Sequence, residues 1–283
     1  MTRVLVSGAT GFVGSRLGPM LVARPGYEVC AIGSADGDVA EPRTWATLAS
    51  AEVVVHLAAR TFVPDSWAEP AAFVRTNLNG TINALEFCRT HQSRLVFLSS
   101  YLYGNPRTLP IGEDHEVGVN NPYALSKKLA EEACRFYAEC YGVGVTILRV
   151  FNLYGGGQGD KFLIPSIIRQ VLQGTEIHVK DLEPKRDFLY IDDLLEAVVC
   201  AIESAHRFEV FNIASGLSHS VREVIDIVQQ VARRDVAVHS ENVRRQNEIM
   251  DTRADISKAR RLLGWEPRWS LEAGIAELCR DGS

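Results

Sequence analysis

The chain has 283 residues, a formal net charge of -5, 46% hydrophobic residues and 23% charged residues. This length allows one large domain or two modest ones with an ample core, and the acidic balance argues against nucleic acid as a main partner. No apolar stretch approaches the ~20 residues of a membrane span, so we expect no membrane partner.

The cysteines and the N-terminus indicate a cytoplasmic protein. The six cysteines show no paired metal-ligand spacing, so we expect reduced thiols and neither a metal nor a disulfide framework. A first strand that begins at Arg3 leaves no room for a signal peptide.

A glycine-rich turn follows the first apolar run, with Gly8, Gly11 and Gly14 ahead of a helical pattern. Glycine lets the backbone approach a pyrophosphate, and the helix that follows offers free amides and a positive dipole end. The spacing differs from the common G-x-G-x-x-G fingerprint. The alternative is a tight strand-to-helix turn without a ligand.

The second apolar run, Val29–Ile32, should end near an adenosine ribose, where an acidic residue usually binds the hydroxyls. Gly33 occupies that position here. Either Asp36 reaches back to a ribose hydroxyl, or the missing carboxylate leaves room for a 2′-phosphate, although no arginine stands immediately beside it. NAD and NADP both remain open as cofactors.

Strand and helix patterns alternate through the first half. In chain order they are a buried strand at Val53–Leu57, a helix from about Pro70 to Thr90, a strand at Leu95–Leu98, a helix to about Tyr141 and a strand at Val145–Leu148. This βαβ rhythm predicts an α/β fold with a Rossmann-type doubly wound parallel sheet.

The alternation loosens beyond Phe151. We therefore expect a dinucleotide-binding domain over 1–150 and a smaller C-terminal α+β substrate lobe over 151–283. A helical pattern from Ile191 to Ala205 and a strand at Val210–Ile213 indicate that about 187–213 returns to the sheet.

Tyr123 and Lys127 lie one helical turn apart, so both side chains project from the same helix face. Asn121 and Pro122 supply an N-cap and a first-turn proline. A nearby ammonium favours the phenolate and lowers the pKa of a tyrosine. Such a tyrosine can take a proton from an alcohol, or return one to an alkoxide, near neutral pH.

Taken together, the motifs resemble the extended short-chain dehydrogenase/reductases, and more narrowly the NAD-dependent epimerase/dehydratase family acting on nucleotide sugars. The resemblance spans nearly the whole chain. The motifs are the turn at 8–14, His56–Ala59, Asn77–Thr81, Ser99-Ser100 before Tyr103-Gly104, Tyr123 to Lys127, Arg149–Gly155, Arg186–Asp193, and Arg245–Glu248 leading to Ala254–Ala259.

The resemblance implies a set of cofactor-binding residues, with Lys127 also bridging the nicotinamide ribose and depressing the Tyr123 pKa. That set is Gly8, Thr10, Gly11, Phe12, Val13, Gly14, Asp36, Leu57, Ala58, Ala59, Asn77, Ser99, Tyr123 and Lys127. The catalytic group is Tyr123, Lys127 and a serine. Anchoring on the strand selects Ser100, and counting back from Tyr103 selects Ser99; we prefer Ser100.

The resemblance also implies a nucleoside-diphosphate sugar substrate, with Asn152, Arg186 and Arg245 holding the diphosphate, since guanidinium forks suit phosphate oxygens. His56 would pack under the cofactor. We interpret Glu131-Glu132 as a solvated helix face.

Two reactions are open, a 4-epimerase that reuses NAD and a 4-ketosugar reductase that consumes NAD(P)H. Dehydratase and decarboxylase chemistry in this family commonly needs an Asp-Glu pair after the catalytic serine, where this chain has Tyr101-Leu102. The closing segment 245–258 resembles epimerases more, whereas Gly33 in a short stretch gives the reductase some weight; we prefer the 4-epimerase and keep the reductase as the alternative. The alternative outside the enzymes is a regulatory subunit that binds a dinucleotide without turnover.

Relatives commonly form homodimers through the helices at about 70–90 and 122–141. The apolar residues that could form such a seam are Leu85, Phe87, Leu129, Ala133 and Phe136, which would serve equally well in intrachain packing.

Overall fold

A computed structural model describes residues 1–244 and 248–280. The strands are β1 (Thr2–Ser7), β2 (Tyr27–Ile32), β3 (Val53–His56), β4 (Arg94–Ser100), β5 (Val145–Val150), β6 (Asn152–Tyr154), β7 (Glu176–Val179), β8 (Lys185–Arg186), β9 (Phe188–Tyr190), β10 (Phe208–Ile213), β11 (His219–Ser220) and β12 (Ala237–Ser240). The helices are α1 (Gly14–Ala23), α2 (Pro42–Ala46), α3 (Val63–Ala68), α4 (Pro70–Val74), α5 (Gly80–His91), α6 (Pro122–Tyr141), α7 (Leu163–Gln173), α8 (Ile191–Glu203), α9 (Val221–Ala232) and α10 (Leu271–Arg280), with π-helical turns at Arg75–Asn79 and Ala259–Leu263.

The first of two compact units comprises Met1–Gly104, Glu116–Val150 and Ala197–Phe211. Its six-stranded sheet has the order β10-β5-β4-β3-β1-β2, and the five strands β1 to β5 pair in parallel. Strands β3 and β5 are buried along their whole length, as expected for continuous apolar runs covered on both faces. The predicted doubly wound parallel sheet is confirmed.

Helix α6 begins where the sequence predicts. Asn121 Oδ1 accepts a hydrogen bond from the Ala124 amide at 2.8 Å, and Pro122 opens the first turn. The helix ends at Gly142, whose φ of 72° is the left-handed conformation typical of a C-terminal glycine. These signals fix the register in which Tyr123 and Lys127 are presented.

The helical pattern expected from about Pro70 to Thr90 is confirmed, and the π-helical turn Arg75–Asn79 between α4 and α5 is its one departure from regular α-helical geometry. The wider turn carries Asn77 into the interior, where it is 1% exposed. Its amide group contributes three hydrogen bonds there, so the irregularity serves a polar contact that apolar periodicity does not reveal.

The second unit comprises Asn105–His115, Phe151–Glu196 and Asn212–Ser283. Three small two-stranded sheets, β11-β8, β12-β7 and β6-β9, lie among its helices. Helix α9 begins with a capping box in which Ser220 and Glu223 each accept the other's backbone amide. No helix among residues 1–244 and 248–280 is long and apolar enough to cross a bilayer.

Asp187 is the buried polar centre of this second unit. Its carboxylate accepts hydrogen bonds from the amides of Ser215, Gly216 and Ala254 at 2.7, 3.0 and 3.1 Å, and from the Ser215 hydroxyl at 2.7 Å. The side chain is completely buried. One carboxylate thus joins three segments that are distant in sequence.

Replacing Asp187 with alanine should lower the free energy of unfolding by about 3 kcal/mol or more, because three amides and the Ser215 hydroxyl lose a buried charged acceptor. Urea unfolding followed by circular dichroism measures this loss. The control is Asp226→Ala on the exposed side of α9, which should change stability by less than about 0.5 kcal/mol. Equal stability of the two variants would contradict the assignment.

Candidate active site

Strands β1, β3 and β4 all end at one edge of the parallel sheet, where ligands bind in open α/β folds. Ser7 and His56 are register partners at the ends of β1 and β3, and the Leu57 amide donates to the Ser7 carbonyl at 3.1 Å. Ser100 is the last residue of β4. The segments after these strands carry most of the residues singled out from the sequence.

The glycine turn between β1 and α1 is packed too tightly for side chains at two of its glycines. A Cβ on Gly8 would lie 2.7 Å from the Ala58 nitrogen, and a Cβ on Gly14 would lie 2.2 Å from the Gly8 oxygen. The tip at Thr10 and Gly11 is exposed. Bare backbone leading into a ten-residue helix fits a pyrophosphate, since first-turn amides have no partner within the helix.

Phe12 is half-buried and Val13 is buried, so they secure the turn rather than form its exposed tip. Leu57, Ala58 and Ala59 are half-buried. The backbone of Leu57 and Ala58 lies directly against Gly8. The segment after β3 is therefore brought to the glycine turn, as the resemblance implies.

The carboxylate of Asp36, the acidic residue that follows β2, is directed back into its own turn. Asp36 Oδ2 accepts the Gly33 amide at 2.7 Å, which closes the turn locally. A Cβ on Gly33 would lie 2.6 Å from Thr10 Cγ2, so the side chain of Thr10 fills the space in which an acidic residue at position 33 would begin.

Ser100 and Tyr123 are brought together, because the Tyr123 phenol shares a hydrogen bond with the Ser100 side chain. The Ser99 hydroxyl is used elsewhere and donates to Glu131 Oε1 at 2.6 Å. This arrangement favours Ser100 over Ser99 as the serine beside the reacting oxygen.

The pKa of Tyr123 is raised by burial, which outweighs the lowering effect of its hydrogen bond with Ser100. This direction is opposite to the expected depression. The ammonium of Lys127 instead donates to the Leu98 carbonyl at 2.6 Å and lies 4.5 Å from the centroid of the Phe97 ring. Tyr123 therefore holds its proton at neutral pH, and its depression by Lys127 stays a prediction for the loaded site.

Burial lowers the pKa of Lys127 to about 8, although the charge of Glu131 opposes this shift. His56 is buried between the rings of Trp45 and Phe97, 5.9 and 6.1 Å from its own, and burial together with Lys127 lowers its pKa to about 3. His56 is therefore neutral, with Nδ1 2.7 Å from Ser7 Oγ. It belongs to the core beneath the sheet edge.

Asn77 joins the segment after β3 to α6. Its Oδ1 accepts the Arg60 amide at 2.8 Å, and its Nδ2 donates to the Arg60 carbonyl at 3.0 Å and to Ser126 Oγ at 2.8 Å. These contacts give Asn77 a structural role between the two segments, and its contact with the cofactor stays a prediction.

The sequence matches the NAD dependent epimerase/dehydratase family over residues 4–214. The chain belongs to this family. It is 30% identical over 295 residues to the GDP-6-deoxy-D-mannose reductase of Pseudomonas aeruginosa, and the match covers 99% of this chain and 96% of that protein.

Two solved structures share the fold over 99% of this chain. The structure of RMD from Pseudomonas aeruginosa complexed with NADPH has a TM-score of 0.93 at 29% identity and is covered over 98% of its length. The UDP-glucose 4-epimerase of Thermotoga maritima with UDP-glucose has a TM-score of 0.90 at 27% identity and is covered over 99% of its length. The inferred family relationship is confirmed.

Two of the expected substrate residues, Asn152 and Arg186, belong to the second unit. Asn152 Nδ2 lies 3.3 Å from the Asp187 carbonyl oxygen. Arg186 forms an ion pair with Glu248 and donates to the Ile249 carbonyl at 2.6 Å, so its guanidinium is already engaged by protein groups. Arg245 lies outside the described residues. Diphosphate binding by all three remains a prediction.

Sequence reasoning missed a buried ion pair beside the catalytic group. Glu131, which we expected on a solvated helix face, is 7% exposed and pairs with Arg149 at 2.6 Å. The signals were present: Glu131 follows Tyr123 and Lys127 at four-residue spacing on one helix face, and Arg149 interrupts an apolar strand.

Proposed function

We propose that the protein reduces the 4-keto group of a sugar carried on a nucleoside diphosphate, with hydride from NADPH. The protein is an enzyme of the NAD dependent epimerase/dehydratase family, and these enzymes act on sugar nucleotides. Its cofactor is NAD or NADP, which supplies or accepts the hydride when bound. The turn after β2, which contains Gly33 and Asp36, is the observation that favours NADPH and therefore a reductase.

Two observations support NADPH as the cofactor, the turn after β2 and the likeness to a solved structure. Gly33 packs against Thr10, and Asp36 is turned onto the Gly33 amide, so neither position presents the carboxylate that repels a 2′-phosphate. The structure of RMD complexed with NADPH has a TM-score of 0.93, against 0.90 for the UDP-glucose 4-epimerase. A reductase draws on the phosphorylated dinucleotide as a consumable reductant.

The chain's own residues would handle the proton of this reduction. Tyr123, which retains its proton, donates it to the alkoxide that forms at C4, and Ser100 donates a hydrogen bond to the same oxygen. Lys127 would hold the nicotinamide ribose when the dinucleotide is bound. Tyr101 donates its hydroxyl to the Gly104 carbonyl at 2.5 Å and Leu102 is buried, so these positions offer no acid/base pair for elimination.

A 4-epimerase is the second candidate, and it is the reaction that the sequence alone favours. It is supported by the closing segment 245–258 and by the likeness to the Thermotoga maritima UDP-glucose 4-epimerase. It would use the same Tyr123 and Ser100 in both directions of hydride transfer with tightly held NAD.

Purified protein separates the two reactions. For the reductase, we expect little bound dinucleotide and stoichiometric NADPH oxidation, followed by the loss of the reduced nicotinamide absorbance, with a 4-ketosugar nucleotide. GDP- and UDP-linked substrates should be tried in parallel. Bound NAD together with interconversion of C4 epimers, without added reductant, would replace the reductase with the epimerase.

The affinity for the dinucleotide should fall about tenfold as pH rises from about 7 to about 9. The pKa of Lys127 is lowered to about 8, so its ammonium, the form that binds a ribose hydroxyl best, is lost in this window. Fluorescence titration with NADPH measures the change. Lys127→Met should abolish the pH dependence and the neighbouring Lys128→Met should retain it; the same slope in both variants would refute the role of Lys127.

A homodimer is the proposed assembly, through α6 rather than α5. Leu85 and Phe87, for which the sequence leaves a seam and intrachain packing equally open, are buried in the core of the first unit. Leu129 and Phe136 are 36% and 53% exposed on α6. Sedimentation that shows only monomer would remove this proposal.

A further inference from the structure

A buried ion pair joins Arg149 on β5 to Glu131 on α6, the helix that carries Tyr123 and Lys127, and a hydrogen bond from Ser99 ties β4, the strand that ends in Ser100, to the same carboxylate. We propose that Glu131 and Arg149 are positioning residues, which hold these three catalytic groups in the geometry needed for hydride transfer. The inference rests on the proposed function, because it assigns the pair a part in the same reaction.

The pair has the geometry of a two-pronged clamp. Arg149 Nε lies 3.0 and 3.2 Å from the two oxygens of Glu131, and Nη2 lies 2.6 Å from Oε2. The side chains are 6% and 8% exposed. A planar guanidinium that meets a carboxylate in this way restricts both orientation and distance, which a single-point contact would not.

The clamp holds β4 through Ser99. The Ser99 hydroxyl donates to Glu131 Oε1 at 2.6 Å, and Ser99 and Arg149 are register partners on β4 and β5. Because Ser99 and Ser100 share a peptide bond, a tether on Ser99 limits the movement of the Ser100 Cα. The tether on Ser99 therefore restricts the position of the Ser100 hydroxyl relative to α6.

The clamp also reaches the segment that follows β4. Arg149 Nη1 donates to the Tyr103 hydroxyl at 2.9 Å, and the guanidinium carbon lies 5.0 Å from the centroid of the Tyr103 ring. The residues on both sides of Ser100 are thus held by one guanidinium–carboxylate group. No other described pair links β4, β5 and α6 through buried charges of opposite sign.

The charge of Glu131 also acts on Lys127. Glu131 lies one turn further along the same face of α6 and favours the ammonium of Lys127, against the opposing effect of burial on its pKa. The other groups that face Lys127 are the Cys134 thiol on α6 and the neutral His56 on β3. Glu131 is thus the nearby anion that helps Lys127 to stay charged.

Stability alone does not explain the pair. Removing two charges from water is costly, and an apolar pair of similar volume is often as stable or more stable. An ion pair in this place instead supplies direction, through five hydrogen bonds to Ser99, Tyr103 and between its own members. This difference makes the proposal testable.

The experiment compares four variants in the full-length protein. Glu131→Gln removes the negative charge, and Arg149→Lys keeps the positive charge but loses the fork. The double variant Glu131→Leu with Arg149→Met replaces the pair with apolar groups. Glu28→Gln, which breaks the exposed ion pair of Glu28 with Arg3 at 3.2 Å, is the control. Each is measured for kcat, KM, pH profile and melting temperature.

Glu131→Gln and Arg149→Lys should each lower kcat about 10- to 100-fold, with KM changed by less than about threefold, because misplacement of reacting groups affects the transition state most. In Glu131→Gln the alkaline limb of the kcat profile should move to lower pH, and in Arg149→Lys it should not move. The double variant should keep a near-normal melting temperature and a low kcat. Glu28→Gln should behave as the wild-type protein.

Recovery of kcat together with the melting temperature in the double variant would overturn the proposal and leave a purely structural pair. So would a normal kcat in Glu131→Gln at a temperature where it is folded.

If the wild-type protein turns over no sugar nucleotide, the proposed function fails, and the pair is then tested by NMR titration of isotopically labelled lysine. The Lys127 signal is identified by its loss in Lys127→Arg. A lower Lys127 pKa in Glu131→Gln than in Glu28→Gln supports the positioning role, and equal values refute it.

Discussion

Replacing Tyr123 with phenylalanine should lower kcat by about a thousandfold or more while the protein still binds its dinucleotide. The phenol is the group that Ser100 contacts at the end of β4, and its proton is retained at neutral pH because burial raises its pKa. A positioned general acid contributes about 10² to 10⁴ to the rate, and phenylalanine keeps the ring packing but removes the proton. Steady-state kinetics and NADPH fluorescence measure the two effects separately.

The matched control is Tyr141→Phe, which removes an exposed hydroxyl at the far end of the same helix. Its kcat should stay within about twofold of the wild-type value. If Tyr123→Phe retained wild-type turnover, the catalytic assignment would be lost. If it retained cellular function but the wild-type protein showed no turnover at all, a regulatory dinucleotide-binding role would be the better explanation.

Replacing Gly14 with alanine should destabilise the first unit by about 2 kcal/mol or more and weaken dinucleotide binding at least about tenfold. A Cβ there would lie 2.2 Å from the Gly8 oxygen and 2.7 Å from the Ala9 Cα. Both are backbone atoms of the turn, so the turn itself must move, and overpacking of this kind costs about 1 to 3 kcal/mol before any ligand is considered. Urea unfolding and NADPH titration provide the two measurements.

Gly18 on the same helix is the control, since a Cβ there would meet nothing within 4 Å. Gly18→Ala should change stability by less than about 1 kcal/mol, because the helical gain of alanine is offset by crowding ahead of Pro19. Similar behaviour of the two variants would show that the tight contact at Gly14 does not matter. If Gly14→Ala were destabilised but kept its affinity for the dinucleotide, the glycine turn would not be part of the dinucleotide-binding site.

Local chemistry made part of this protein predictable. The buried strands can be predicted from apolar runs such as Val53–Val55. The start of α6 follows from Asn121 and Pro122, because capping is a contact between near neighbours in sequence. The glycine turn is similarly local. Each of these signals depends on a few consecutive residues.

The remainder depends on which faces meet in three dimensions. Nothing near Glu131 in sequence shows that Arg149 lies opposite it, and the two are joined only when α6 packs on β5. Likewise, Leu85 and Phe87 could serve a seam or a core, and tertiary packing decides for the core. The Tyr123 pKa is raised for the same reason, since burial is a property of the assembled unit and not of the motif.

The chain leaves the six-stranded sheet after β5, at Val150, and returns to it only with β10, at Phe208. During synthesis at about 5 to 20 residues per second, β5 therefore has an open edge for several seconds. An unpaired edge of this kind is a template for association with other chains. A fragment cut at residue 150 would keep that edge permanently open, so limited proteolysis or truncation at the expected domain boundary should give aggregation rather than an isolated dinucleotide-binding domain.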